Sequence, residues 1–147
     1  MDKGQLAKDY FKSGLNCSQS VAMAFKDEMG LTEEQVKKLS IAFGGGFGRT
    51  RSVCGAVSGM TMVIGMLGSD GEDKLSVYAI EQKALELFKN QLGSTICAEL
   101  LEGNIKVDKG VVPAERTEEF YKKRPCAEIC ALASTIAYNL LREKGKI

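Results

Sequence analysis

The chain has 147 residues, with 20 Lys and Arg against 19 Asp and Glu and a formal net charge of +1. That length fits one domain with a real core, and the near balance of charge speaks against a nucleic-acid binder or a polybasic membrane patch. There are five Cys and neither His nor Trp, which removes Ser-His and Cys-His dyads, His-ligated zinc and His-ligated haem.

Apolar positions recur at helical spacing along most of the chain. The amino-terminal stretch is charged and amphipathic, lacks the apolar run of a signal peptide, and carries Leu6, Tyr10 and Phe11 as one stripe. Val21, Ala24, Phe25 and Met29 make a second stripe on Asn16–Gly30. Thr32 to Gln35 has the form of a capping box, and Val36, Leu39, Ala42 and Phe43 follow as a third stripe. Val53–Leu67 is apolar nearly all round, as a central helix would be. The uncharged run Ser52 to Ser69 approaches the lower limit of a membrane span, but its glycines, Ser and Thr favour a buried helix. Asp73–Asn90 carries Val77, Ile80, Ala84, Leu87 and Phe88. Ser94–Glu102 reads as a short helix closed by Gly103, and Glu115–Lys122 as another. Pro125–Lys144 is the last long helix, with Ile129, Leu132, Ala133, Ile136, Leu140 and Leu141 inward. Only Asn104–Val112 alternates, weakly, as an extended loop or short strand would. The expectation is an all-α, single-domain bundle of five to seven helices spanning residues 1–147, cytoplasmic, with no nucleic-acid or membrane partner.

Five cysteines in a cytosolic chain are reduced by default, and an odd count fits poorly with a fully paired disulfide framework. Capping residues place four of them at helix starts. Cys17 follows Asn16, Cys54 lies two residues beyond Ser52, Cys97 three beyond Ser94, and Cys126 follows Pro125. A first helical turn presents unsatisfied N–H groups and the positive end of the helix dipole, both of which favour a thiolate over a thiol. Thiolate is the form that binds metal or attacks a disulfide. Cys130 lies one turn beyond Cys126 on the same face, as an extra thiol or as core. The sequence contains no C-x-x-C and no C-x-x-C-H, which excludes zinc ribbons, thioredoxin motifs and c-type haem attachment. A site forms only if the fold brings the four helix starts together.

The run Gly44-Gly45-Gly46-Phe47-Gly48-Arg49-Thr50-Arg51 leads into the Cys54 helix. Such a loop can cradle an anion, with Arg49 and Arg51 adding charge, but neither a P-loop nor a full Rossmann fingerprint is present. Glycine here serves close approach of the backbone to a neighbour or a cluster, with Gly45, Gly46, Gly48 and Arg49 as the candidate loop contacts. Gly55 and Gly59 with Ala56 form a small-residue packing face. Met60, Met62 and Met66 read as adaptable core, and the pairs Glu33-Glu34 and Glu118-Glu119 as solvated faces.

Cys17 within Asn-Cys-Ser-Gln-Ser-Val, the glycines Gly44 to Gly48 ahead of Cys54-Gly55-Ala56-Val57-Ser58-Gly59, Cys97 in Cys-Ala-Glu-Leu-Leu, and Cys126 opening the last helix are together distinctive. From about Gly14 to Leu141 this pattern resembles the C-GCAxxG-C-C family of redox-active proteins. One position departs: the family label reads Gly-Cys-Ala-x-x-Gly and this chain reads Cys54-Gly55-Ala56, which displaces the thiol by one residue, about 100° if both lie on a helix. The resemblance implies a helical domain that also occurs in split-Soret cytochromes, where a cysteine-bound iron–sulfur centre accompanies haem; lacking His, this chain is similar to the domain without the haem. Cys17, Cys54, Cys97 and Cys126 would then ligate an iron–sulfur cluster, [2Fe–2S] in form, or zinc, and pass electrons to an unidentified redox partner. Metal-free thiol–disulfide or persulfide chemistry, and a structural module stabilised by zinc, stay open. The helical surface leaves room for a homodimer.

Overall fold

The computed structural model describes residues 2–102 and 109–147. Helices run α1 Lys3–Lys12, α2 Cys17–Ala24, α3 Lys26–Met29, α4 Glu33–Ser40, a 3-10 turn Ile41–Phe43, α5 Gly44–Phe47, α6 Gly55–Gly68, α7 Lys74–Leu92, α8 Cys97–Leu101, α9 Glu118–Lys123 and α10 Cys126–Glu143. The fold is all-α, as expected. Its only β pairing among the described residues is one isolated antiparallel bridge, Val53 with Ile96. The proposed strand at Asn104–Val112 lies largely outside the described residues, as does Gly103.

The bundle is organised around α6, which packs on α2, α7 and α10, while α1 packs across α2 and α10. Phe25, Phe88, Met60, Ile64 and Leu141 are fully buried where these helices meet. The mostly apolar α6 sits at the centre because glycine lets it approach α2. A Cβ at Gly59 would fall 2.9 Å from both the Ser18 carbonyl oxygen and the Val21 Cβ. No helix among the described residues is long and apolar enough to cross a membrane.

Two segments differ from their sequence patterns for local reasons. The Asn16–Gly30 segment breaks at Phe25, whose φ/ψ of −110/13 leaves the helical region. Lys3 Nζ donates to the Ala24 carbonyl (2.9 Å) and pairs with Glu28 (2.7 Å), so a side-chain cation takes a carbonyl at the end of α2. In the third stripe Val36 is buried, but Leu39, on the same helix, is 60% exposed. The acid pairs behave as read: Glu33, Glu34 and Glu119 bridge to Lys37, Lys38 and Lys123 on exposed helix faces.

Asn16 begins α2 with a reciprocal capping box. Its side chain accepts from the Gln19 N–H (2.9 Å), and Gln19 Oε1 accepts from the Asn16 N–H (3.1 Å). Its Nδ2 also donates to the Ile41 carbonyl at 2.9 Å, tying α2 to the turn before the glycine loop. Asn16→Ala is expected to cost about 1–2 kcal/mol, measured as a lower urea midpoint at unchanged m-value.

Candidate functional site

Three local devices place the four helix-start cysteines. Cys17 is the first residue of α2, directly after the Asn16 cap. Cys126 is the first residue of α10, after Pro125. Cys54 and Cys97 are set by the bridge. Cys54 N–H donates to the Thr95 carbonyl (2.8 Å) and Cys97 N–H to the Ser52 carbonyl (2.7 Å), either side of Val53 and Ile96. In this antiparallel register Cys54 lies opposite Thr95, so Cys54 and Cys97 are diagonal neighbours, a relation that spans roughly 7–8 Å.

The bridge also shifts two helix starts from their expected registers. Residues on either side of it stay extended, so α6 begins at Gly55 with Cys54 as its cap, and α8 begins at Cys97 with Ile96 as its cap. Ser94 instead closes a small turn, accepting from the Ile96 N–H at 3.0 Å. Cys54 takes φ/ψ of −53/134, outside the helix, so the 100° displacement expected from the family pattern does not apply. Its side chain makes no cap hydrogen bond, and the nearby backbone N–H groups of Ala56 and Val57 act only to favour the thiolate. At position 55 a Cβ would lie 3.1 Å from the Cys17 Cβ.

The glycine loop is what lets these starts converge. Gly45, Gly46, Phe47, Gly48, Arg49 and Arg51 all have φ between 61° and 73°. For Phe47, Arg49 and Arg51 this left-handed conformation costs of order 1 kcal/mol each. The folded-back loop is held by Arg51 N–H to Gly45 O (3.1 Å) and Ser52 N–H to Gly46 O (2.9 Å). A Cβ at Gly46 would fall 2.6 Å from the Ser52 nitrogen and 2.8 Å from the Cys97 Cβ; one at Gly44 would fall 2.3 Å from Asn16 Nδ2. The glycines therefore make room for neighbouring protein: Gly44 for the Asn16 cap, Gly46 for Cys97, Gly55 for Cys17.

Cys17, Cys54, Cys97 and Cys126 line one cavity of about 460 Å³, together with Gly45, Gly48 and Arg49. Gly46 stands behind it, against Cys97. Cys17 is within hydrogen-bonding reach of both Cys126 and Cys130. Cys130 itself is fully buried, with its thiol 3.8 Å from the Cys17 carbonyl, and does not line the cavity. All five thiols are free. Among the described residues no three Cys, Asp or Glu side chains form a ready group around a single metal position. Cys17 instead lies within reach of Cys126 and Cys130, and the bridge sets Cys54 beside Cys97 as a diagonal neighbour.

Helix starts do not make thiolates of Cys17, Cys54 and Cys126. Burial pushes the Cys54 thiol up from an ordinary value near 9 to about 12, outweighing the two backbone N–H groups. Cys17 gains from a hydrogen bond with Cys126, but the Cys130 contact, burial and neighbouring thiols push it well up. The Cys17 bond and burial raise Cys126, against Arg124 and Arg116, and burial raises Cys130. Desolvation of the charged form thus overcomes the helix ends. In the metal-free protein Cys54 holds its proton in the folded state after the unfolded chain has lost it. Its contribution to stability is complete below about pH 9 and is lost as pH rises toward 12, by up to about 4 kcal/mol. Thermal melts of the reduced, metal-free protein should show a falling midpoint beginning near pH 9; a flat profile from 8 to 11 would contradict the shift.

Arginines complete the site. Arg51, from the loop, is buried at 3% exposure and donates to Cys97 Sγ at 3.6 Å. Arg116 lies over the rings of Phe11 (4.5 Å) and Phe120 (4.8 Å) and donates to the carbonyls of Phe11 and Leu15. Arg124 lies over Phe120 at 4.7 Å. Arg51 could be suspected from its place between the glycines and Cys54. Arg116 and Arg124 sit in an unpatterned stretch, and only the fold returns them to the cavity.

The model of the family described as "Putative redox-active protein (C_GCAxxG_C_C)" matches residues 15–140. No curated protein and no solved structure gives a significant match to the chain.

Proposed function

The chain belongs to the C_GCAxxG_C_C family, and from that premise we propose that it is a metal-binding electron-transfer protein whose Cys17, Cys54, Cys97 and Cys126 ligate an iron–sulfur cluster of the [2Fe–2S] type. The observation that carries this reading is that four cysteines from four separate helix starts line one cavity. Sulfur is the only candidate ligand type these positions offer, and thiolates suit iron–sulfur clusters. A two-iron centre would take two thiolates at each iron, four in all, the number that lines the cavity. A single zinc ion needs all four sulfurs about 2.3 Å from one point, a tighter convergence than these side chains show. Bound, such a cluster supplies one-electron redox chemistry. The Arg51 guanidinium donates to the sulfur of Cys97, and the Ala56 and Val57 N–H groups lie near Cys54, where they favour its thiolate; such donors tune potential. Arg116 and Arg124 favour the thiolate of Cys126. Anaerobic isolation followed by iron and sulfide analysis tests the reading. Stoichiometric iron and sulfide are expected; absence of both after reconstitution would sink it, and zinc without sulfide would point to a structural site.

A second reading rests on the contact of Cys17 with Cys126 and Cys130. Two-electron oxidation of Cys17 and either partner would form one S–S bond, release two protons and pass the electrons to a disulfide oxidant. Thiol counting of the metal-free protein after equilibration with oxidised dithiothreitol should then give three free thiols; five would exclude the pairing.

A further inference from the structure

We infer that the same cavity is a binding site for a small organic anion, its charged group held by arginine and its apolar part by the wall that precedes α9. The cavity volume, about 460 Å³, lies in the range of small-molecule pockets. Arg49, Arg51, Arg116 and Arg124 line it, and among the described lining residues there is no Asp, Glu or Lys.

Arg116 is the most completely defined of the four. Its Nη atoms donate to the carbonyls of Phe11 (3.1 Å) and Leu15 (3.0 Å) and to the Tyr121 hydroxyl (3.5 Å). These are three bonds from a group with five N–H donors, and no acceptor among these described partners carries charge. Phe11 and Phe120 fix the plane of the guanidinium. A planar fork held in place without a carboxylate is prepared for bidentate recognition of one. Val111, Pro113 and Ala114 supply the apolar wall beside it. Guanidinium charge and that wall carry the inference, so it stands or falls separately from the cluster.

Benzoate, benzamide and benzamidine share a ring and differ in charge, and titrating each into the unmodified protein tests the inference. The readout is the amide NMR signals of Gly44, Gly45 and Gly48 and the side-chain signal of Arg116. Benzoate should shift these signals saturably, at least tenfold more tightly than benzamide, and benzamidine should not bind. Equal binding of the three, or no saturation by benzoate at millimolar concentration, would overturn the inference. Arg116→Gln should weaken benzoate at least tenfold and Arg116→Lys less; unchanged affinity in a folded Gln variant would also overturn it. If the Gln variant fails to fold, the charge series on the unmodified chain decides.

Discussion

Cys54→Ser is expected to abolish cluster binding while leaving the fold intact or slightly stabilised. The two effects separate because Cys54 occupies the N-cap position of α6 but forms no side-chain cap hydrogen bond there, so the helix loses none when the thiol is replaced. Serine is among the best residues at that position, where a hydroxyl can accept from the first-turn N–H groups and so offset its own burial. Loss of a direct ligand should exceed the roughly 10–100-fold loss of metal affinity that follows removal of a mere supporting contact. Iron per chain after anaerobic reconstitution should fall to near background, with an unchanged or higher thermal midpoint. The matching control is Cys130→Ser. Cys130 is fully buried outside the cavity, so the variant should lose stability through its buried hydroxyl yet keep its iron. The reverse pattern, iron retained in the Cys54→Ser protein and lost in the Cys130→Ser protein, would reassign the ligand set.

Gly46→Ala is expected to have the largest effect on stability of any single methyl added to the chain. The new Cβ would stand 2.6 Å from the Ser52 nitrogen and 2.8 Å from both the Arg51 carbonyl carbon and the Cys97 Cβ. Two of those atoms are backbone and cannot rotate away. The residue must also hold φ 73°, which costs a non-glycine about 1–2 kcal/mol. With the overpacking term the total is about 3–4 kcal/mol, or a fall of roughly 10 °C in thermal midpoint. The clash also bears on Cys97, so iron binding should weaken with stability. Gly65→Ala serves as control, since nothing lies within 4 Å of a Cβ there; it should be neutral or mildly stabilising.

The helices and the four helix-start cysteines were legible because both are local. Asn16 announces its helix as an N-cap and Thr32 through a capping box, and the structure closes a reciprocal box at both. The registers of Cys54 and Cys97 were legible only to within two or three residues. A single bridge between Val53 and Ile96, distant in sequence, holds the backbone extended past Ser52 and Ser94 and moves both starts. The purpose of the glycines was half visible. Close approach was the right reason, yet the neighbours prove to be Asn16, Cys97 and Cys17. The ionisation of the thiols was misread, because a helix end acts over one turn while burial depends on the whole fold. Arg116 carried no sequence mark at all, since its partners Phe11 and Leu15 lie in the opposite end of the chain.

X-ray absorption at the iron edge of the anaerobically reconstituted protein tests the central claim most directly. The account predicts a first shell of sulfur alone, with a second iron just beyond it, and loss of that spectrum in Cys54→Ser. A first shell containing nitrogen or oxygen, or an identical spectrum in the Cys54→Ser protein, would contradict the assignment of these four cysteines to one centre.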